Sequence, residues 1–87
     1  MDELEKKILW QCRRGLWELD AILIPFFEKY FTKMGPKEIE DFRELLAYED
    51  IEIFDILVNK KPFEDKNLIK IVEMINQFQD SSLGDSI

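Results

Sequence analysis

The stretch I-L-W-Q-C-R-R-G-L-W-E-L-D-A-I-L-I-P-F-F-E-K-Y, Ile8 to Tyr30, decides the fold of this chain. Within it Leu19, Ile22, Leu23, Phe26, Phe27 and Tyr30 recur at i, i+3, i+4, i+7 and i+8, which predicts an amphipathic helix from about Leu16 to Lys33. Glu18, Ala21, Pro25 and Glu28 share its opposite face. Pro25 removes one helical hydrogen bond, so the helix should either kink there with the freed carbonyl toward water or break into two shorter helices. Gly15 stands where a left-handed, helix-ending residue belongs, which closes an earlier helix running from about Glu3 to Arg14. Asp2 and Glu5 have the spacing of a capping box at its start. On that helix Leu4, Ile8, Leu9 and Cys12 fall on one side, and Lys6, Lys7, Trp10, Arg13 and Arg14 on the other.

Working outward, Gly35-Pro36 stops the second helix and opens a third, with Pro36 at the tolerated first position. Ile39, Phe42, Leu45 and Leu46 form its stripe, which ends near Tyr48. Asp50 is a candidate N-cap for a short segment, Ile51 to Val58. Ile51, Ile53 and the acids between them also alternate like a strand, but no second strand exists to pair with, so a helix is expected. After a loop at Asn59 to Glu64, Leu68, Ile71, Val72, Ile75 and Phe78 mark a fifth helix from about Asp65 to Gln79. The expected fold is an all-α, compact five-helix bundle: one domain over residues 1–79, followed by a disordered tail over 80–87.

Composition narrows the function. The chain has 87 residues, 46% of them apolar and including seven Phe, which is enough to fill a shallow single core. A net charge of −7 argues against nucleic acid as a partner, since a phosphate backbone is bound by clustered cations. No apolar run approaches the roughly 20 residues that a membrane-spanning helix needs, so no membrane partner is expected. M-D-E-L-E-K-K lacks both the apolar stretch of a secretory signal and the make-up of a transit peptide; with one cysteine, this favours a bacterial cytoplasm over a mitochondrial matrix. With no histidine, one cysteine and three scattered glycines, Ser-His and Cys-His pairs, structural zinc sites and phosphate-cradling loops are missing. The chain is therefore expected not to be an enzyme, and to be a monomer.

Four features invite a chemical reading. The acids Glu49, Asp50, Glu52 and Asp55 could hold a hard cation, but they lack the calcium-loop frame and its glycine, and an N-cap with a solvated helix face explains them. Arg13 and Arg14 would activate a thiol at Cys12, yet that residue falls on the apolar side of its helix and reads as buried. Trp10 is either a core residue of a rotated helix or an exposed aromatic ringed by Lys6, Lys7, Arg13 and Arg14, an arrangement typical of interface hot spots. Arg13-Arg14-Gly15 followed by Glu18 and Asp20 has a structural explanation at two helix ends, where cations and acids oppose the respective dipole poles. The same run also concentrates four of the 12 cations, Lys6, Lys7, Arg13 and Arg14, in an acidic protein, a pattern suited to docking.

Ile8 to Asp20, followed by P-F-F-E at Pro25 to Glu28, closely resembles the SdhE family, small five-helix factors needed for covalent attachment of FAD to the flavoprotein subunit of succinate dehydrogenase and, in bacteria, of fumarate reductase. The family hallmark R-G-x-x-E falls on Arg14, Gly15 and Glu18, and the specific resemblance spans about residues 8 to 30. It implies a surface that docks near the flavin-accepting histidine of the flavoprotein, whose flavin chemistry is its own; FAD would belong to that client and not be tightly bound here. In that reading Arg14 makes charge-assisted hydrogen bonds to the flavoprotein, Gly15 lets two backbones approach closely, and Glu18 contacts the partner or holds Arg14 in place. Trp10, Arg13 and Asp20 flank the patch. Two alternatives stand beside it: an antitoxin role described for proteins of the family, and a chain that itself carries flavin.

Overall fold

The computed structural model describes the backbone of residues 2–85 and the side chains of residues 2–81. Five helices follow in order: α1 (Glu3–Cys12), α2 (Trp17–Tyr30), α3 (Pro36–Leu46), α4 (Asp50–Leu57) and α5 (Ile69–Asp85), with a 3-10 turn, Phe31–Lys33, extending α2. No strand occurs among the described residues, and Ile51 and Ile53 lie in α4. α1 starts where its cap predicts, the Asp2 carboxylate accepting the Glu5 N–H at 2.7 Å. α2 continues through Pro25, so the break into two helices does not occur; Ala21 and Pro25 are both exposed, which leaves the unpaired carbonyl side toward water.

Several ends differ from expectation, each for a local reason. α1 stops at Cys12, because Arg13 is extended and the Arg14 N–H is taken by the Asp20 carboxylate at 2.8 Å. α3 ends at Leu46, short of Tyr48, and Glu49 replaces Asp50 as the N-cap of α4. There Glu52 reaches back to accept the Glu49 N–H at 3.3 Å, which leaves the Asp50 carboxylate free for a distant partner. α5 begins at Ile69 and not near Asp65, since Asp65 instead closes a turn, accepting from the N–H groups of Asn67 and Leu68 at 3.0 Å each. At the other end α5 runs to Asp85, through much of the segment read as a disordered tail; the rest of that tail, 86–87, lies outside the described residues.

α2 is the central element, packing against α1, α4 and α5, while α3 closes on α1 and α5. The core is built on its stripe: Leu19, Leu23, Phe26 and Phe27 are fully or almost fully buried against Ile8 and Cys12 of α1, Phe42 and Leu45 of α3, Ile53 and Leu57 of α4, and Ile71 and Ile75 of α5. Phe27 stacks on Phe42 at 5.8 Å, and Phe78 meets Phe26 and Tyr30 edge-on. Such pairs add directional preference to burial, which helps fix how α2, α3 and α5 cross. The radius of gyration is 12.3 Å, close to the roughly 12 Å expected for a folded chain of this length. A small, shallow core of this kind leaves helix ends at the surface, and the α1–α2 corner is one of them.

Candidate docking site at the α1–α2 corner

The corner is built around Gly15, whose φ of +85° is the left-handed conformation that a side chain strains to adopt. A Cβ placed there would meet nothing within 4 Å, so backbone conformation, and not crowding inside the molecule, requires the glycine. The chain leaves α1 in an extended Arg13, turns at Gly15 and enters α2 after Leu16, which supplies no side-chain cap. The Asp20 carboxylate reaches back from the first turn of α2 to the Arg14 N–H, pinning the corner from the far side.

Arg14 points inward. Its side chain is 17% exposed and its guanidinium makes four hydrogen bonds. Nε donates to Asp50 Oδ1 at 2.7 Å, one terminal nitrogen donates to the carbonyls of Gln11 and Leu46 at 3.0 and 2.8 Å, and the other donates to Tyr48 O at 3.0 Å. The planar fork thus satisfies carbonyls at the C-terminal ends of α1 and α3, and ties both to the start of α4. Four of its five N–H donors, which the sequence reading placed on a partner, are engaged within the chain. Glu18 does not hold Arg14, either; Asp20 holds its backbone and Asp50 its side chain.

What remains outside is a contiguous run. Arg13, Gly15, Leu16, Trp17 and Glu18 are all exposed. Trp10 is 75% exposed, which resolves the open question in favour of a surface aromatic, and Trp17 is 78% exposed. Lys6 and Lys7 are exposed on the same helix as Trp10. The cation–π contacts among the described residues involve Lys29 and Lys33 over Tyr30 and Phe78, and none involves Trp10. Leu16 and Trp17, exposed in the same run, were not singled out from the sequence, although Trp17 lies two positions before Leu19 and so off the core stripe.

The other candidates are structural. Cys12 is fully buried, and desolvation pushes its thiol up to about 12 against the smaller opposing pull of Arg14. Among the described residues no group of carboxylates and thiols is placed to hold a metal ion. In the acidic stretch Glu49 and Glu52 cap α4, Asp50 pairs with Arg14, and Asp55 accepts from Asn59 at 2.9 Å and Lys61 at 3.3 Å, which holds its pKa below the ordinary carboxylate value. A groove of 690 Å³ between α1 and α3 is lined by Leu4, Pro36, Ile39 and Ala47 with Glu40, Arg43 and Glu44 among its polar lining, a set without a nucleophile–base pair.

With that geometry in place, the comparisons with known proteins are direct. The family described as the flavinator of succinate dehydrogenase matches residues 6–79. The FAD assembly factor SdhE of Haemophilus ducreyi is 37% identical over 76 residues, covering 86% of this chain and 93% of that protein. The factors of the same name from Haemophilus influenzae and Pseudomonas aeruginosa are each 36% identical, over 84% and 85% of this chain and 86% and 89% of their own lengths. The likeness therefore runs through all five helices, well beyond the corner motif, and the chain belongs to the SdhE family, the flavinators of succinate dehydrogenase.

Proposed function

We propose that this chain is an assembly factor that binds the flavoprotein subunit of succinate dehydrogenase, or of fumarate reductase, and promotes covalent attachment of FAD to it. The observation that carries this reading is the family membership over residues 6–79 combined with an exposed corner that displays the family motif. The parts divide into two groups. Trp10, Arg13, Gly15, Leu16, Trp17 and Glu18 form the surface offered to the flavoprotein, and Arg14 and Asp20 position it from behind. The empty space beside Gly15 leaves room for a client backbone to come close.

The factor itself supplies no histidine, and its one thiol is buried and protonated. It therefore acts by preferential binding: docking to one arrangement of the flavoprotein raises the population in which flavin and its acceptor histidine react. FAD belongs to the client, and the factor works as a monomer in the bacterial cytoplasm. The test is Glu18→Ala, scored by flavin fluorescence of the denatured dehydrogenase subunit in a gel. Glu18 is exposed and is bonded to neither Arg14 nor Asp20, so stability should change by only about 0.5 kcal/mol while covalent flavin falls. Normal flavinylation by a stable Glu18→Ala protein would refute a docking role for that residue.

A further inference from the structure

Three large apolar side chains among the described residues are more than half exposed: Trp17 at 78%, Trp10 at 75% and Ile51 at 67%. The first two flank the α1–α2 corner, whereas Ile51 belongs to α4, far away in sequence. The Arg14–Asp50 pair at 2.7 Å joins these two places, because it brings the first turn of α4 against the corner and Ile51 follows Asp50 directly. We propose that the surface meeting the client flavoprotein crosses this ion pair onto the first turn of α4, with Ile51 as its apolar contact there. The inference rests on the proposed function and extends it to a second element.

A single exposed isoleucine is ordinary, and its position is what singles this one out. α4 faces the core with Ile53, Ile56 and Leu57, and Ile51 takes no part in that cluster. Its neighbours Glu49 and Glu52 are exposed carboxylates, while the corner carries exposed Lys6, Lys7 and Arg13. Trp10, Leu16, Trp17 and Ile51 give the extended surface its apolar groups, with the cations Lys6, Lys7 and Arg13 on the α1 side, the carboxylates Glu49 and Glu52 on the α4 side, and Glu18 at the corner. The partner that fits presents an apolar patch with a carboxylate at one end and a cationic group at the other, and opposite charge at the two ends sets a single docking orientation. Asp50 is a positioning residue in this arrangement, since it fixes α4 against the corner through Arg14.

Ile51→Glu tests the extension without threatening the fold. The residue is exposed, and the helix dipole favours an added acid in the first turn while Asp50, Glu52 and, at i+4, Asp55 oppose it, so the melting temperature should change little. Affinity of the full chain for the purified flavoprotein subunit, measured by titration calorimetry, should weaken about tenfold or more, since a charge replaces an apolar anchor at a desolvated contact. Ile51→Ala should weaken it severalfold with no new charge. Should both variants bind as the parent does while Trp10→Ala and Glu18→Ala bind weakly, the surface stops at the corner and only the extension falls. Should all four bind normally, the docking reading falls with it. A change of oligomeric state on Ile51→Glu with client affinity unchanged would make the α4 face a self-contact and overturn the inference.

Discussion

Replacing Arg14 by lysine keeps the positive charge and removes the planar fork, so it separates charge from geometry at the corner. The guanidinium bonds Asp50, Gln11 O, Leu46 O and Tyr48 O at 2.7–3.0 Å in four directions. A single ammonium on a flexible stem reaches one or two of these, leaving about two carbonyls at helix C-termini short of a donor. Hydrogen bonds to a charged group contribute roughly 1.5–3 kcal/mol each, but Asp50 is 42% exposed and water will reach part of the site, so a loss of about 2 kcal/mol is the working figure. For a domain of this size that lowers the melting temperature by about 10 °C, since each kcal/mol is worth roughly 4–8 °C. Far-UV circular dichroism melts of the parent, Arg14→Lys and Asp50→Asn provide the measurement. Asp50→Asn retains an acceptor for Nε and should lose less than Arg14→Lys. A melt of Arg14→Lys within about 2 °C of the parent would refute the tie, since on that slope it leaves under about 0.5 kcal/mol for the two or three bonds that lysine cannot make.

Other outcomes follow from the same geometry. Gly15→Ala should cost about 1 kcal/mol through the positive φ alone, and Gly15→Asn less, as seen by urea unfolding, because no neighbour lies within 4 Å of the added Cβ. Cys12 should resist alkylation at pH 8 in the folded chain and react once the chain is unfolded in urea. With its pKa raised from 9.0 to about 12, the folded state holds the thiol proton that the unfolded state releases; stability should therefore be intact below pH 9 and decline between pH 9 and 12, with Cys12→Ala removing that part of the decline. Both tryptophans should emit as solvated indoles, and acrylamide should quench them nearly as well as free tryptophan; flavoprotein binding should blue-shift and protect them.

The helices were legible because their stripes are long and regular. Leu19 to Tyr30 names the face of α2 that is buried, Pro36 marks a start that the structure keeps, and Gly15 adopts the left-handed conformation expected of it. Boundaries failed where a side chain outcompeted the helical pattern. Asp20 captures the Arg14 N–H and cuts α1 short, and Asp65 forms its own turn and delays α5 to Ile69. Asp50 looked like an N-cap by type and place, but Glu49 took that role because the Asp50 carboxylate has a stronger partner in Arg14. Trp10 could not be placed from spacing, since turning a short helix by one residue, about 100°, can carry a flanking side chain from surface to core; packing of Ile8 and Cys12 in the core settles it.

The direction of Arg14 is the deeper lesson of the corner. R-G-x-x-E reads as one unit in the sequence, yet its arginine faces in and its glutamate faces out. Spacing could not separate them, because an arginine at a helix end is equally suited to capping carbonyls and to meeting a partner. The deciding group is Asp50, 36 residues away, together with carbonyls left unpaired where α3 ends early at Leu46. A rigid corner needs such an anchor, since a positive-φ glycine between two helices is otherwise a hinge. In the proposed docking role, fixing the turn from inside would lower the ordering cost of presenting Leu16, Trp17 and Glu18 to a partner. The motif therefore combines an inward anchor and an outward face within five residues.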